Sequence, residues 1–158
     1  MPMLDQEAVE LLEQRRIASL GTVNPDGTVH LTAIWYLLQN DRILIPTSST
    51  SRKAKNVQAN STATVMVDVR TDEEMSGVVV HGRASVVSGD EARALNRLIH
   101  QRYLSDKAIA HQAIGPLFEE GDDVTIEIRC ESAVTWDMAV GPLGVLFSSD
   151  QYLRPLTD

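Results

Sequence analysis

Residues 17–47 read IASLGTVNPDGTVHLTAIWYLLQNDRILIPT, in which three stretches rich in β-branched and aromatic residues alternate with two turn signals. The three stretches cover 17–23, 28–39 and 42–47, and the turns are NPDG at 24–27 and QND at 39–41. β-Branched and aromatic residues favour strands, whereas Gly, Pro, Asn and Asp supply the backbone angles of tight turns. This part of the chain therefore predicts an antiparallel meander of three strands.

Further strands and helices are predicted on both sides of the meander. The strands cover 62–70, 77–88 and 124–137, the last with alternating apolar residues. The helices cover 4–14, 51–61 (capped by Thr50 or Ser51), 90–104 and 105–116, while the tail over 138–158 has too little periodicity for an assignment. Six or so strands with few helices predict a mainly β fold, an antiparallel barrel with peripheral helices, in one domain over residues 1–158.

The composition excludes several classes of protein. Asp and Glu number 22 against 14 Lys and Arg, a formal net charge of −8, and this field repels nucleic acid and anionic membranes. Cys130 is the only cysteine, which excludes an internal disulfide and a zinc cluster of cysteines, and the four histidines lack metal-ligand spacing. No apolar run has the length of a signal peptide or a membrane span. We therefore expect a cytoplasmic protein with no metal and no nucleic-acid or membrane partner.

Against this acidic background, residues 47–57 (TSSTSRKAKNV) form a basic cluster that contains Arg52, Lys53, Lys55 and no acid. The cations lie in the first turn of a predicted helix, where the helix dipole is already positive, at a cost of about 0.3–1 kcal/mol per exposed charge. A bound phosphate makes the same arrangement favourable, because it accepts hydrogen bonds from free backbone N–H groups, hydroxyls, Arg and Lys. The alternative is a solvated helix face. A strand end, a hydroxyl-rich loop and a basic helix start together favour a phosphate site.

The spacing within the cluster resembles that of the flavin-binding split β-barrel proteins, the family related to pyridoxamine 5′-phosphate oxidase. These proteins carry a strand ending in Thr, four further residues and then Arg-Lys at a helix start, as do Thr47, SSTS and Arg52-Lys53 here. TVHLTAIWYLL at 28–38 is similar to the family's ring-contacting strand, GVVVHGRASVV at 77–87 to the strand with a central Gly, and VTWD at 134–137 to the strand end with Trp. The resemblance spans about residues 15–137 and implies an FMN-binding split β-barrel.

The resemblance also implies a homodimer with two cofactor sites at its interface. Arg52 and Lys53 are then the principal partners of the cofactor's phosphate. They are assisted by Thr47, Ser49, Ser51 and, at a shifted helical angle, Lys55. The ring is expected to lie along Thr32, Ala33, Ile34 and Tyr36, with Trp136 contributed by the other subunit. Tyr36 is favoured over Trp35 as a ligand contact because of its polar tip.

Two departures from the oxidase pattern argue against vitamin B6 oxidation. Leu31 and Tyr36 stand where the oxidase has basic residues, and WDMAVGPLGV at 136–145 lacks the Arg and His of its substrate motif. The chain is more similar to small relatives with an NPDG turn, an aromatic pair and a K-x-x-N helix, here Lys53 and Asn56. Many of those relatives use coenzyme F-420 and others use FMN, and the phosphate motif does not separate the two.

The resemblance therefore predicts a flavin- or deazaflavin-dependent oxidoreductase that transfers hydride to or from a small conjugated organic substrate. In such enzymes the cofactor carries the chemistry, and the protein supplies position and electrostatics. The sequence alone assigns no general acid. The alternative is a non-catalytic protein that binds FMN or F-420 for sensing or storage.

Overall fold

The structure, a computed structural model, describes residues 3–148 and 151–156. Within them one antiparallel sheet contains seven strands: β1 (Ala18–Val23), β2 (Val29–Ile34), β3 (Leu37–Gln39), β4 (Arg42–Thr47), β5 (Thr62–Arg70), β6 (Met75–Val87) and β7 (Val124–Asp137). The helices are α1 (Gln6–Glu13), α2 (Arg52–Ala59), α3 (Gly89–Tyr103), α4 (Asp106–Ile109) and α5 (Gly115–Gly121), followed by a 3-10 helix at Pro142–Phe147. No helix in these ranges has the length and apolar character needed to cross a bilayer. The predicted mainly β fold with peripheral helices is confirmed.

β2 and β3 follow one another in the chain but lie at opposite edges of the sheet. The strand order is β2-β1-β5-β6-β7-β4-β3. Only Trp35 and Tyr36 separate the end of β2 at Ile34 from the start of β3 at Leu37. Because successive Cα atoms are 3.80 Å apart, the two edges approach to within roughly 11 Å here. The sheet is therefore rolled, and Trp35-Tyr36, called the seam below, joins its two edges.

Hydrogen bonds from the seam and from α3 tie the two edges to the segment between α1 and β1. Tyr36 is fully buried, and its hydroxyl donates to the carbonyl of Gln14 at 3.0 Å. The hydroxyl of Tyr103 donates to the carbonyl of Arg16 at 2.7 Å. The Arg102 guanidinium lies 5.6 Å from the centre of the Tyr36 ring and donates to the Gln14 carbonyl at 2.8 Å. The seam is thus held by the buried Tyr36 and by hydrogen bonds from Tyr103 and Arg102 to the segment before β1.

The interior of the rolled sheet is filled with side chains. Alternate residues of β5 point inward, so that Ala63, Val65 and Val67 are buried while their neighbours are partly or fully exposed. Leu11 and Leu12 of α1 are buried in the same core. A barrel this size leaves no room for a large ligand, so a ligand must lie at the rim of the sheet or outside it.

A glycine allows the longest strand pair to bend. The register of β6 and β7 shifts between His81 and Gly82, which marks a β-bulge. A Cβ atom at Gly82 would lie 2.3 Å from the carbonyl oxygen of Arg129, so a side chain there would force the strands apart. Gly82 is the central glycine of 77–87, the stretch that resembles a strand of the split β-barrel family.

Two of the predicted elements are wrong in their extent. The strand predicted over 28–39 is two strands, because Ile34 still pairs with Ala18 of β1 whereas Leu37 pairs with Leu44 of β4. The meander is therefore two hairpins at opposite edges of the sheet. The helix predicted over 105–116 is also two helices, and its expected stop at Gly115-Pro116 begins α5. Proline suits the first turn of a helix because the N–H there needs no intrahelical acceptor.

Tyr36→Phe should lower the free energy of unfolding by about 1 kcal/mol, because the buried hydroxyl loses its bond to Gln14. The cost stays small since the Gln14 carbonyl keeps its bond from Arg102. Urea unfolding measures the difference. Tyr152→Phe is the matched control: Tyr152 is 58% exposed, and its substitution should change stability by less than about 0.5 kcal/mol. Equal effects of the two substitutions would contradict the role given to the seam.

Candidate functional site

The basic cluster begins where β4 ends and forms the first turn of α2. Ser51, one of the two predicted caps, accepts the N–H of Ala54 on its Oγ at 3.2 Å. The buried Thr47 at the end of β4 donates its hydroxyl to the same Ser51 oxygen at 3.1 Å. With two bonds accepted, the Ser51 hydroxyl still has its own hydrogen to donate. Thr47 thus positions Ser51, and Ser51 can bind an anion.

The cations of the cluster are available to a ligand. Arg52 and Lys55 are exposed and Lys53 is half-buried. Among the described residues, none of the three has a carboxylate within 4.0 Å. Burial lowers the pKa of Lys53, and the nearby charge of Asp122 opposes that shift. A bound anion would relieve the burial of an unpaired Lys53 charge.

Backbone donors complete the cluster. The N–H groups of Arg52 and Lys53 have no acceptor within the described part of the chain, as expected for the first turn of a helix. The start of α2 therefore offers two backbone N–H groups, the Ser51 hydroxyl and the side chains of Arg52 and Lys53. Hydroxyls, helix N–H groups, Arg and Lys are the donors that phosphate accepts in proteins.

Ser49, which the sequence also assigned to the phosphate, has another partner. Its N–H donates to Oδ1 of Asp123 at 2.6 Å, and its hydroxyl donates to Oδ2 of the same carboxylate at 2.6 Å. These two bonds hold the pKa of Asp123 below its ordinary value. Asp123 lies between α5 and β7. The carboxylate thus takes both donors that Ser49 would offer to a phosphate.

Asn56 anchors α2 to the sheet. It is buried, and its Nδ2 donates to Oγ1 of Thr22 at 3.1 Å and to Oδ1 of Asn24 at 2.9 Å. Thr22 lies on β1, and Asn24 opens the NPDG turn that follows. Asn56, the Asn of the K-x-x-N pattern, therefore fixes α2 and its Lys53 against the NPDG turn.

A cleft of about 340 Å³ lies at the seam. It is lined by Ile17, Ala33, Ile34, Trp35, Pro46, Phe118 and Asp122. The Trp35 ring stacks on Tyr103, with centroids 5.0 Å apart, and on Phe118, with centroids 5.3 Å apart. Pro46 immediately precedes Thr47, and Asp122 interacts electrostatically with Lys53, so the cleft adjoins the basic cluster. Apolar walls with parallel aromatic rings suit a flat ligand.

The predicted ring-contacting residues divide between the cleft and the core. Ala33 and Ile34 line the cleft, whereas Thr32 does not, and its buried Oγ1 has no partner among the described residues. The preference for Tyr36 over Trp35 is wrong for the side chains. Tyr36 is fully buried, and its ring cannot reach a ligand, whereas Trp35 lines the cleft. The choice failed because the seam turns the tyrosine inward, which strand alternation alone does not reveal.

The sequence pattern does not reveal the polar wall of the cleft. Asp122 lines it, and its Oδ2 lies 2.8 Å from Nε2 of His100, a residue only 7% exposed. Asn96, one turn earlier on α3, donates to the main-chain carbonyl of Asp122 at 2.9 Å. A second cavity of about 140 Å³ lies between α3 and α5, and Phe118 and Asp122 line both cavities. The spacing of Asn96 and His100, four residues apart, is the signal that marks this face of α3.

Trp136 lies far from the basic cluster of its own chain. Thr47 pairs with Val124 at the start of β7, and Trp136 follows twelve residues later, on the order of 40 Å along an extended strand. The indole packs over Gly77 of β6, where a Cβ atom would lie 2.5 Å from the ring. Within one chain, Trp136 is therefore separated from the strand end at Thr47 by most of the length of β7.

Asn56→Ala should lower the free energy of unfolding by about 1–3 kcal/mol, because the buried Thr22 hydroxyl loses its donor. The exposed Gln58 on the same helix provides the control, and Gln58→Ala should stay within about 0.5 kcal/mol of the wild type. Urea unfolding compares the two variants. A cost for Asn56→Ala no greater than that of the control would show that this residue does not anchor the helix.

Comparison with known proteins identifies the family. A family model described as pyridoxamine 5′-phosphate oxidase matches residues 4–131. No match is found among curated proteins. Among solved structures, a conserved hypothetical protein from Mycobacterium tuberculosis is 25% identical, with a TM-score of 0.69 and 85% of each chain covered.

Two further solved structures share the fold at lower identity. An F420 reductase is 22% identical, with a TM-score of 0.66 over 83% of this chain and 98% of that one. An FAD-binding protein from Mesorhizobium loti is 20% identical, with a TM-score of 0.64 over 85% of this chain and 95% of that one. The predicted split β-barrel fold is confirmed. Because the family model matches most of the sequence, the chain belongs to the pyridoxamine 5′-phosphate oxidase family.

Proposed function

We propose that the protein is an oxidoreductase that binds a phosphorylated flavin-type cofactor, coenzyme F-420 or FMN, at a homodimer interface. It transfers hydride between this cofactor and a small conjugated organic substrate. The observation that carries the proposal is the set of unpartnered donors at the start of α2, at the end of an apolar cleft on the seam. Two of the structural relatives are an F420 reductase and an FAD-binding protein, which supports a cofactor of this kind.

The described residues fit such a cofactor at both of its ends. The side chains and N–H groups of Arg52 and Lys53, together with the Ser51 hydroxyl, would hold the phosphate, with Thr47 fixing Ser51 and Lys55 adding a more distant charge. Ala33, Ile34 and Trp35 would line the ring. When bound, the cofactor supplies the hydride chemistry, and the protein's own task is to bind and orient it.

The walls of the cleft indicate how the chain would assist the reaction. Ile17, Ala33, Pro46 and Phe118 are apolar and would exclude water from the reacting groups. Asp122 is the one ionisable residue among those lining the cleft, and its carboxylate is already held by His100. Leu31 and Tyr36 leave the ring-contacting strand without the basic groups of the oxidase, so we propose a substrate other than a vitamin B6 phosphate.

An apolar face on the outside of the sheet supports the homodimer. Val29, Leu31 and Val134 are 66%, 67% and 62% exposed. Strand pairing places Ala33, Ser19, Met66, Val79 and Val134 in one row across the sheet. Ala33 also lines the cleft, so the outer face and the cleft are continuous. A second copy on this face would bury the apolar row and could bring its Trp136 to the cleft.

A second candidate function is cofactor binding without turnover, for sensing or storage. The shortage of ionisable groups in the cleft favours it, since Asp122 is the one ionisable residue among the described residues that line the cleft, and it is bonded to His100. Rapid oxidation of the bound reduced cofactor by conjugated acceptors separates the two functions. We place either function in the cytoplasm, where a free, buried Cys130 suits a reducing environment.

The double variant Arg52→Ala/Lys53→Ala should lose at least about 100-fold in affinity for the cofactor, because two charge-assisted bonds to the phosphate disappear. Fluorescence titration with FMN and with F-420 measures the affinity. Arg15→Ala/Lys107→Ala removes the same two charges from exposed positions and should bind like the wild type. Wild-type affinity in the first variant, with unfolding midpoints alike, would overturn the phosphate assignment.

Val134→Arg should convert a dimer to a monomer, because it places a charge in the apolar row that the second copy would cover. Light scattering after size exclusion measures the molar mass. Leu98→Arg alters an exposed apolar residue of α3, away from this row, and should leave the dimer intact. A wild-type protein that is monomeric at micromolar concentration would contradict the interface.

A further inference from the structure

Acidic side chains from other parts of the fold surround the basic cluster. Asp123 is bound to Ser49 through both carboxylate oxygens, each at 2.6 Å. Asp122 interacts electrostatically with Lys53. The exposed Asp26 of the NPDG turn interacts in the same way with Arg52. The cluster that is purely basic in sequence therefore lies among three carboxylates in the folded chain.

These carboxylates limit the charge of the cluster without blocking it. None of them lies within 4.0 Å of a cation of the cluster, so Arg52 and Lys53 remain free to pair with a ligand. The three carboxylates nevertheless lower the positive charge at the start of α2. The cations attract each charge of an incoming anion, and the acids oppose part of this gain.

Of these three acids, Asp123 is the one that is hydrogen-bonded to the loop between β4 and α2. Ser49 is two residues before Ser51, which caps α2 and has its hydroxyl hydrogen available. The bonds from Ser49 favour the ionised form of Asp123, so its negative charge is present at neutral pH. This charge is therefore held on Ser49, two residues before the Ser51 hydroxyl that a phosphate would contact.

We propose that Asp123 is a specificity-determining residue that lowers the affinity of this loop for a doubly charged phosphomonoester relative to a singly charged phosphodiester. The proposal rests on the proposed function, since it concerns the phosphate of the same cofactor. It also bears on the choice left open there. Coenzyme F-420 carries its phosphate as a diester, and FMN carries its phosphate as a monoester.

The test compares two ligands that differ by one methyl group on the phosphate, and therefore by one phosphate charge. Riboflavin 5′-phosphate and its phosphate monomethyl ester share one ring. If only the deazaflavin ring binds, the 5′-phosphate of that deazaflavin and its methyl ester replace them. Affinities are measured by fluorescence titration at pH 8 in low salt for the wild type, Asp123→Asn and Glu120→Gln. Asp123→Asn keeps an oxygen for the Ser49 N–H, and Glu120 is an exposed acid of α5 that serves as the charge-matched control.

We expect Asp123→Asn to raise the affinity for the monoester on the order of fivefold relative to that for the methyl ester, because the second phosphate charge no longer meets a neighbouring carboxylate. Glu120→Gln should leave the ratio of the two affinities unchanged.

Three results would overturn the proposal while leaving the proposed function intact. The first is an unchanged affinity for the monoester in Asp123→Asn. The second is an equal gain for both ligands in Asp123→Asn, since Asp123 would then merely compete for Ser49. The third is an equal effect of Glu120→Gln. Failure of both rings to bind at all would instead remove the proposed function, and this proposal with it.

Discussion

The two-residue link between β2 and β3 is the constraint on which the rest of the structure depends. Trp35 and Tyr36 must carry the chain from one edge of a seven-stranded sheet to the other, so the sheet has to roll until its edges meet. Tyr36 turns inward and closes the core, while Trp35 turns outward and stacks with Tyr103 and Phe118. The same two residues thus complete the fold and form a wall of the cleft.

The candidate site combines this seam with the start of α2. β4 runs from its hairpin with β3 to Thr47. After the loop that follows, Ser51, Arg52 and Lys53 offer hydrogen-bond donors that have no acceptor among the described residues. Asn56 holds α2 against β1 and the NPDG turn, which fixes the start of the helix relative to the seam. A rolled sheet with a filled interior leaves this outer rim as the place for a flat, phosphorylated ligand.

Local chemistry was predictable from the sequence, and contacts between distant segments were not. The end of β4 at Thr47, the Ser51 cap and the basic first turn of α2 depend on neighbouring residues, and all appear where the pattern puts them. The break at Trp35-Tyr36 depends on which strands pair, so periodicity in 28–39 suggested one continuous strand. Asp122 and Asp123 lie in the segment that follows α5. Nothing in the sequence of 47–57 indicates that they lie near the cluster in the folded chain. The sequence therefore revealed the cations but not the acids that surround them.

A crystal structure of the protein with its bound cofactor tests the central claim most directly. We predict that the phosphate accepts bonds from Ser51, Arg52 and Lys53 at the start of α2, and that the ring lies against Ala33–Trp35 at the seam, beside a second copy of the chain. A cofactor bound elsewhere, for instance in the cavity between α3 and α5 with the start of α2 left in solvent, would contradict the account.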